Sequence, residues 1–448
     1  MKGILDKIEK LTLEHDNISP DLISKKNIKL GLRNSDGSGV IVGITTKGRV
    51  IGYEKRESPD GSIQLKTCPG KLFYCNYDVE KIIKDIVAKE RFGFEEVVYL
   101  LLSGELPSES DLNDFEKALA KKRFLSKMER NIIMEEVQND NQMYGLHSVT
   151  SHLARCDANP DSIDIKDVSR QCLSLIAKFP TIVAYNYNFT KFRNGADLKM
   201  LRPRAEYSTA ENFLYMLRGE RPDPFESHLF DIALILHAEH GGGNNSTFAL
   251  RTVSSSGANT YMAIAAGIAS LSGHLHGGAN EAVMRMMKSL KKSIPDWNNE
   301  LSIKTYLMDL MEKRAGDGTG KIYGLGHPVY TVSDPRAIIF KEYAAKIAKI
   351  KGAQEEYKFY DRVDKIASDL LSKKYNKPIS TNVDFYSGFI YKLMGIPKEL
   401  FTPIFAMARV AGWSAHRIEQ IIQGKLIRPA YVSAKNSEEE YIPIENRK

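Results

Sequence analysis

Cysteine is scarce in this 448-residue chain. Four occur (Cys68, Cys75, Cys156 and Cys172), and no two are spaced C-x-x-C. That excludes a disulfide scaffold, a zinc ribbon and a cysteine-held cluster, and it fits a reducing compartment. Long apolar runs are missing too. The longest, Met262 to Leu271, falls far short of the ~20 residues a membrane-spanning helix needs. Neither sign of charge dominates: 63 Lys and Arg against 56 Asp and Glu leave +7. Such an excess suggests anionic ligands, but without an arginine-rich stripe or zinc-finger spacing it does not point to nucleic acid. No repeat of fixed period is visible.

Several familiar motifs fail by one or two positions. Gly318-Thr319-Gly320-Lys321 suggests a P-loop, yet Ala315 stands where the first glycine belongs and Ile322 follows the lysine. His237-Ala238-Glu239-His240 offers two imidazoles at i, i+3, and His274 and His276 add two more, but H-E-x-x-H is absent. A zinc site is one reading of these histidines. Core or substrate-facing residues are the commoner outcome, so no metal ligand is assigned.

What is present is globular composition, 42% apolar and 27% charged, in a chain long enough for two or three domains. Met1 to Lys10 carries Asp6 and Glu9 and lacks a long apolar core, so it reads as neither a secretory signal nor a mitochondrial presequence. Ile4, Ile8 and Leu11 share one helical face and predict a short amphipathic docking helix. A cytoplasmic protein is expected. Residues 33–75 form the one strand-like stretch, with short β-branched runs at 38–45, 49–54 and 62–67. Helical periodicity dominates afterwards. Residues 94–119 predict two helices split at Leu106-Pro107-Ser108, with Ser108 capping the second. Composition shifts near 290–330 and again at Tyr375 to Thr381. The expected organisation is therefore a mainly α protein, with a large helical domain (1–282 and 391–448) and a smaller helical domain (283–390) set into it.

Three histidines stand beside glycine clusters: His240 before Gly241-Gly242-Gly243-Asn244, His276 before Gly277-Gly278-Ala279-Asn280, and His327 after Gly324-Leu325-Gly326. Glycine there lets backbone or ligand approach a titratable group closely. Asn280 reads as a helix N-cap, which would hold His276 at a helix N-terminus and disfavour imidazolium. A neutral imidazole so held can donate to a carbonyl without net charge. The alternative is a satisfied core histidine at each position. Arg409, inside the apolar helix PIFAMARVAGW, needs an anion from a protein carboxylate or a substrate. Asp384 opens DFYSGFIYKLMG. It is either an N-cap or a desolvated base, and local physics favours the cap.

The blocks LHAEHGGGNNSTFALRTVSSSGANTYMAIAAGIASLSGHLHGGANEAV (236–283), GLGHPVYTVSDPRA (324–337), NVDFYSGFIY (382–391), FAMARVAGWSAHRIEQ (405–420) and KLIRPAY (425–431) resemble the citrate synthase family. FEEVVYLLLSGELP (94–107) and IAKFPTIVAYNY (176–187) resemble its upstream helices, so the likeness runs from about residue 70 onward. The resemblance implies an all-helical, two-domain homodimer that condenses acetyl-CoA with oxaloacetate and hydrolyses citryl-CoA, a tricarboxylic acid cycle reaction with no tightly bound cofactor. It implies Asp384 as the base that removes a methyl proton. His276 is then the hydrogen-bond donor to the thioester oxygen, and His327 the acid at the oxaloacetate carbonyl. His240, Asn244, Arg336, Arg409 and Arg428 are implied to hold oxaloacetate, with Arg428 supplied by the partner subunit. Ile322, Gly324, Leu325 and Gly326 are implied as CoA contacts. Two departures stand out: Thr331 replaces a basic residue expected to contact CoA phosphates, and Tyr74-Cys75-Asn76-Tyr77 replaces an Arg-Gly pair. The catalytic set is equally that of 2-methylcitrate synthase, which uses propionyl-CoA, since one methyl group is discriminated by only ~1–3 kcal/mol of pocket shape.

Overall fold

The computed structural model describes residues 2–15, 19–34, 38–57, 63–137, 140–435 and 438–447. The chain divides into two units. The first joins Met1–Gly43 to Arg428–Lys448, and the second runs from Ile44 to Ile427.

In the first unit, α1 (Lys2–His15) realises the expected amphipathic helix, with Ile4, Ile8 and Leu11 exposed along it. Ser19 caps α2 (Pro20–Lys25) by accepting from the Asp21 amide, and Pro20 occupies the first helical position, where no amide partner is needed. The run at 38–45 does not become a strand. Only an isolated bridge joins Arg33 to Gly39, and Ile41 and Ile44 are exposed, so β-branched propensity there meets no partner strand.

The second unit opens with a three-stranded antiparallel sheet in the order β1 (Gly48–Glu57), β2 (Ile63–Tyr74), β3 (Tyr77–Asp78), with a bulge between Ile51 and Tyr53. Sixteen helices follow. They are α3 (Val79–Ala88), α4 (Phe94–Ser103), α5 (Glu109–Lys122), α6 (Lys127–Glu136), α7 (Gln142–His152), α8 (Ile165–Arg193), α9 (Thr209–Arg218) and α10 (Pro224–His237). Then come α11 (Asn245–Ser255), α12 (Thr260–Ser272), α13 (Ala279–Ser293), α14 (Glu300–Met311), α15 (Pro335–Ile350), α16 (Gln354–Tyr375), α17 (Val383–Leu393) and α18 (Phe401–Gln423). The fold is mainly α. Ser108 caps α5 as expected, and Ser126–Glu129 and Ser208–Glu211 form complete capping boxes on α6 and α9.

Helix α18 is the axis of the core. Residues 406–420 are buried on every face, as in a helix surrounded by others, and α18 packs against α4, α8, α10, α11 and α12. Gly412 lets it approach the end of α10. Its amide donates to Ala238 O at 3.2 Å, and a Cβ there would collide with Ala238 and Glu239. Arg409, Trp413 and His416 of α18 are fully buried and thereby carry polar chemistry into the interior.

Candidate active site

The loop after Lys321 is built around two left-handed glycines, Gly324 (φ +81) and Gly326 (φ +83). Side chains rarely adopt this conformation, which explains glycine at both positions. The loop is zipped to the segment before α17. Gly326 N donates to Ser380 O at 2.8 Å, Asn382 N to Gly324 O at 2.9 Å, and Asn382 Nδ2 to Gly326 O at 3.0 Å. This fixes His327 beside the start of the helix that carries Asp384. Asn382, not Asp384, is the cap of α17, accepting from the Asp384 amide at 3.0 Å. The cap reading of Asp384 is thus overturned: its carboxylate is free for chemistry. Burial pushes its pKa up to about 6, against the nearby charge of Arg336.

His327 Nδ1 accepts from the amides of Val329 and Tyr330, both at 3.0 Å. In the neutral ring the proton therefore sits on Nε2, which is a donor. His276 has the opposite tautomer. Its Nε2 accepts from the Ser246 amide at 3.3 Å, which leaves Nδ1–H as the donor. Ser246 is held in turn by Trp413 Nε1 of α18 at 3.3 Å. Burial, helped by Arg409, lowers the His276 pKa to about 4, so the ring is neutral at pH 7. The neutral state was expected, but the cause differs. The cap of α13 is Gly278; Asn280 lies inside the helix and donates to Ser387 Oγ at 2.6 Å.

His240 packs edge-on to His327, with ring centroids 5.0 Å apart, and its buried Nε2 has no hydrogen-bond partner among the described residues. Helix α10 ends at His237, so His237 and His240 do not share a helical face. His237 is a core residue bonded to Tyr391 Oη at 3.1 Å. No group of three or more His, Cys, Asp or Glu among the described residues is arranged to hold a metal.

Arg409 is fully buried, with only Nε engaged, donating to His237 O at 2.6 Å. Nη1 and Nη2 have no partner among the described residues. Burial lowers its pKa to about 10, which still leaves it charged at neutral pH. Of the two anions the sequence allowed it, no protein carboxylate is bonded to it. That charge acts on His240, His276 and Asp384 alike. Arg336 is different: Asp334 takes its Nε at 3.0 Å and its Nη2 at 2.8 Å. Asn244 caps the backbone end of α11 and accepts from Ser246 Oγ at 2.8 Å. Arg428 belongs to the first unit, together with Met1–Gly43.

Beside these residues lies a cleft of ≈780 Å³, lined by Ile322, Gly324, Leu325 and Gly326 as expected, and by the cations Arg285, Lys321 and Lys398. Thr331 is buried and does not line it. A lysine there would therefore be a buried charge, not a contact in this cleft. Asp140, Glu281 and Glu399 line the cleft too, and Glu281 Oε1 pairs with Arg285 Nη1 at 3.0 Å, so its charge is mixed.

A family model described as "Citrate synthase, C-terminal domain" matches residues 48–430. The chain belongs to the citrate synthase family. It is 35% identical to citrate synthase 2 of Bacillus subtilis over 84% of this chain and 93% of that protein. It is 33% identical to 2-methylcitrate synthase of Shewanella oneidensis over 84% and 92%. Among solved structures, citrate synthase from Pyrobaculum aerophilum superposes with a TM-score of 0.73 at 32% identity, covering 91% of this chain and 94% of that one. Citrate synthase from Thermoplasma acidophilum, solved in ternary complex with carboxymethyl coenzyme A and oxaloacetate, gives 0.74 at 26% identity over 94% and 99%. The citrate synthase family is a family of acyltransferase enzymes, and its helical fold is the fold seen here.

Proposed function

We propose that this citrate synthase family member condenses acetyl-CoA with oxaloacetate and water to give citrate and CoA. The observation that carries the reading is a set of protonation states: a carboxylate poised near pH 6, a neutral imidazole protonated on Nδ1, and a second imidazole whose Nδ1 accepts from two amides and whose proton therefore sits on Nε2. A thioester α-proton is too weakly acidic for a carboxylate alone at neutral pH, so enolate charge must be stabilised as it forms. Asp384 takes the methyl proton while His276 Nδ1–H bonds the thioester oxygen and stabilises the enolate that forms. The enolate carbon then attacks the keto carbon of oxaloacetate, His327 Nε2–H delivers a proton to the new alkoxide, and the proton on Asp384 is released as His327 regains one from solvent. Water splits citryl-CoA into citrate and CoA thiol. Arg409, with two unused donors, takes one oxaloacetate carboxylate in the bidentate manner of a guanidinium. His240, Asn244, Arg336 and the partner's copy of the 428 arginine complete that site in a cytoplasmic homodimer. The segment 283–390, which carries His327, Arg336 and Asp384, closes over the substrates as the smaller domain and excludes water.

The relative named 2-methylcitrate synthase supports a second reading, in which propionyl-CoA is the acyl donor. Release of free CoA from each thioester with oxaloacetate separates the two. A higher kcat/KM for propionyl-CoA replaces the first reading with the second, and release from neither overturns both.

A further inference from the structure

A buried guanidinium ordinarily pairs with the nearest buried carboxylate, because each is costly alone. Arg409 does not, although a carboxylate acts on it closely. Glu239 is fully buried, is the strongest anionic influence on Arg409, and has Oε2 without a partner among the described residues. The reason lies on the far side of Glu239. Its Oε1 accepts from His416 Nε2 at 2.9 Å and from the Gly241 amide, which turns the carboxylate away from Arg409. His416 is anchored from behind: its Nδ1 lies 3.0 Å from Arg251 Nη1 and 3.5 Å from Glu419 Oε2. Glu419 is itself tied to the Thr46 amide at 2.8 Å and to Arg251.

We propose that His416 is a positioning residue that occupies Glu239, and so reserves the Arg409 guanidinium for a carboxylate of the substrate. The proposal rests on the reading of Arg409 as an oxaloacetate ligand. The tautomer supports it. Arg251 Nη1 can only donate, so His416 Nδ1 accepts from it and Nε2–H is the donor to Glu239, which stays ionised. Glu419 pairs with Arg251, so neither carboxylate takes the Arg409 guanidinium from an incoming dianion. The other titratable groups around Glu239 are Tyr74 and Cys75 at the end of β2, Lys47 before β1, and His240 next in sequence. Tyr74 is pushed well above its usual range by burial, Cys75 is raised likewise, and His240 is held neutral by burial and nearby cations. Tyr74 Oη donates to Ile235 O instead, and among the described residues His416 and the Gly241 amide are the donors to Glu239 Oε1.

The test compares oxaloacetate binding by titration calorimetry from pH 6 to 8.5 in wild type, His416→Gln, Glu239→Gln and the double variant. The readout is the ratio of each variant's Kd to wild type, so titrations common to all cancel. In His416→Gln the uncompensated Glu239 takes up a proton at low pH and competes for Arg409 at high pH. Its ratio should lie near one at pH 6 and climb by up to about tenfold per pH unit once Glu239 ionises. The double variant should return to within about twofold of wild type at every pH, since it carries no competing charge. A wild-type Kd in His416→Gln at pH 8, or a loss that is flat with pH and unrelieved in the double variant, overturns the proposal. Should His416→Gln fail to fold, Glu239→Gln alone decides: binding within about twofold of wild type supports the proposal, and a tenfold loss overturns it. No oxaloacetate binding by wild type refutes the functional reading instead, so the two failures are distinct.

Discussion

Replacing Asp384 with Asn should stabilise the ligand-free protein at high pH while it removes activity. The fold raises the carboxyl pKa from 3.8 to about 6. An acid whose pKa is higher folded than unfolded is penalised in its ionised form. The stability it contributes is complete below about pH 4 and is lost as pH rises through about 6. At about 1.4 kcal/mol per pH unit, the loss reaches ~3 kcal/mol above pH 7. Asn mimics the protonated acid at every pH and escapes that loss. With an unfolding entropy of ~2 cal/mol/K per residue, or ~0.9 kcal/mol/K for the chain, Tm of Asp384→Asn should exceed wild type by ~3 °C at pH 8 and match it near pH 4. Scanning calorimetry across that range reads the difference directly. In parallel, turnover should fall by ~10²–10⁴, and wild-type kcat/KM should drop as pH falls through about 6, where the base becomes protonated. A Tm difference that does not grow with pH, or an Asn variant less stable at pH 8, would refute the claim that this carboxylate is held desolvated for catalysis.

Arg409→Leu should abolish the rise in Tm that oxaloacetate gives wild type, without unfolding a helix whose surroundings are already apolar; a preserved shift would show that another group holds the substrate. Lys321→Gln combined with Arg285→Gln should raise KM for the acyl-CoA several-fold and leave oxaloacetate KM within about twofold, because exposed charge contacts are each worth only ~1 kcal/mol or less; steady-state kinetics in both substrates checks this. Asp384→Asn and Arg428→Ala chains should each be nearly inactive, and coexpression should restore roughly one quarter of wild-type activity, since half of randomly mixed dimers are mixed and each of those has one intact site. Purified two-tag heterodimers without activity would show that Arg428 serves its own chain.

The sequence by itself determined the helical class, the break at Leu106-Pro107-Ser108, the amphipathic helix at the N-terminus and the family, because these depend on local periodicity, capping residues and contiguous motifs. His240, His276, His327, Asp384 and Arg409 were legible as chemistry for the same reason: each stands beside glycine or apolar residues that make a polar group conspicuous. Three local readings failed where tertiary context decided the outcome. The β-branched run at 38–45 found no strand to pair with, Asn382 took the cap position that local propensity gave to Asp384, and Asn280 lies inside α13, bonded to Ser387, instead of capping it. Only the tertiary structure set the proton positions. Backbone amides at Val329 and Tyr330 fix one imidazole tautomer, the Ser246 amide fixes the other, and burial keeps His276 neutral and raises the Asp384 pKa. The role of His416 was hidden for the same physical reason. A hydrogen bond between residues 239 and 416 leaves no trace in the spacing of either segment, because it exists only once α18 is packed against the end of α10.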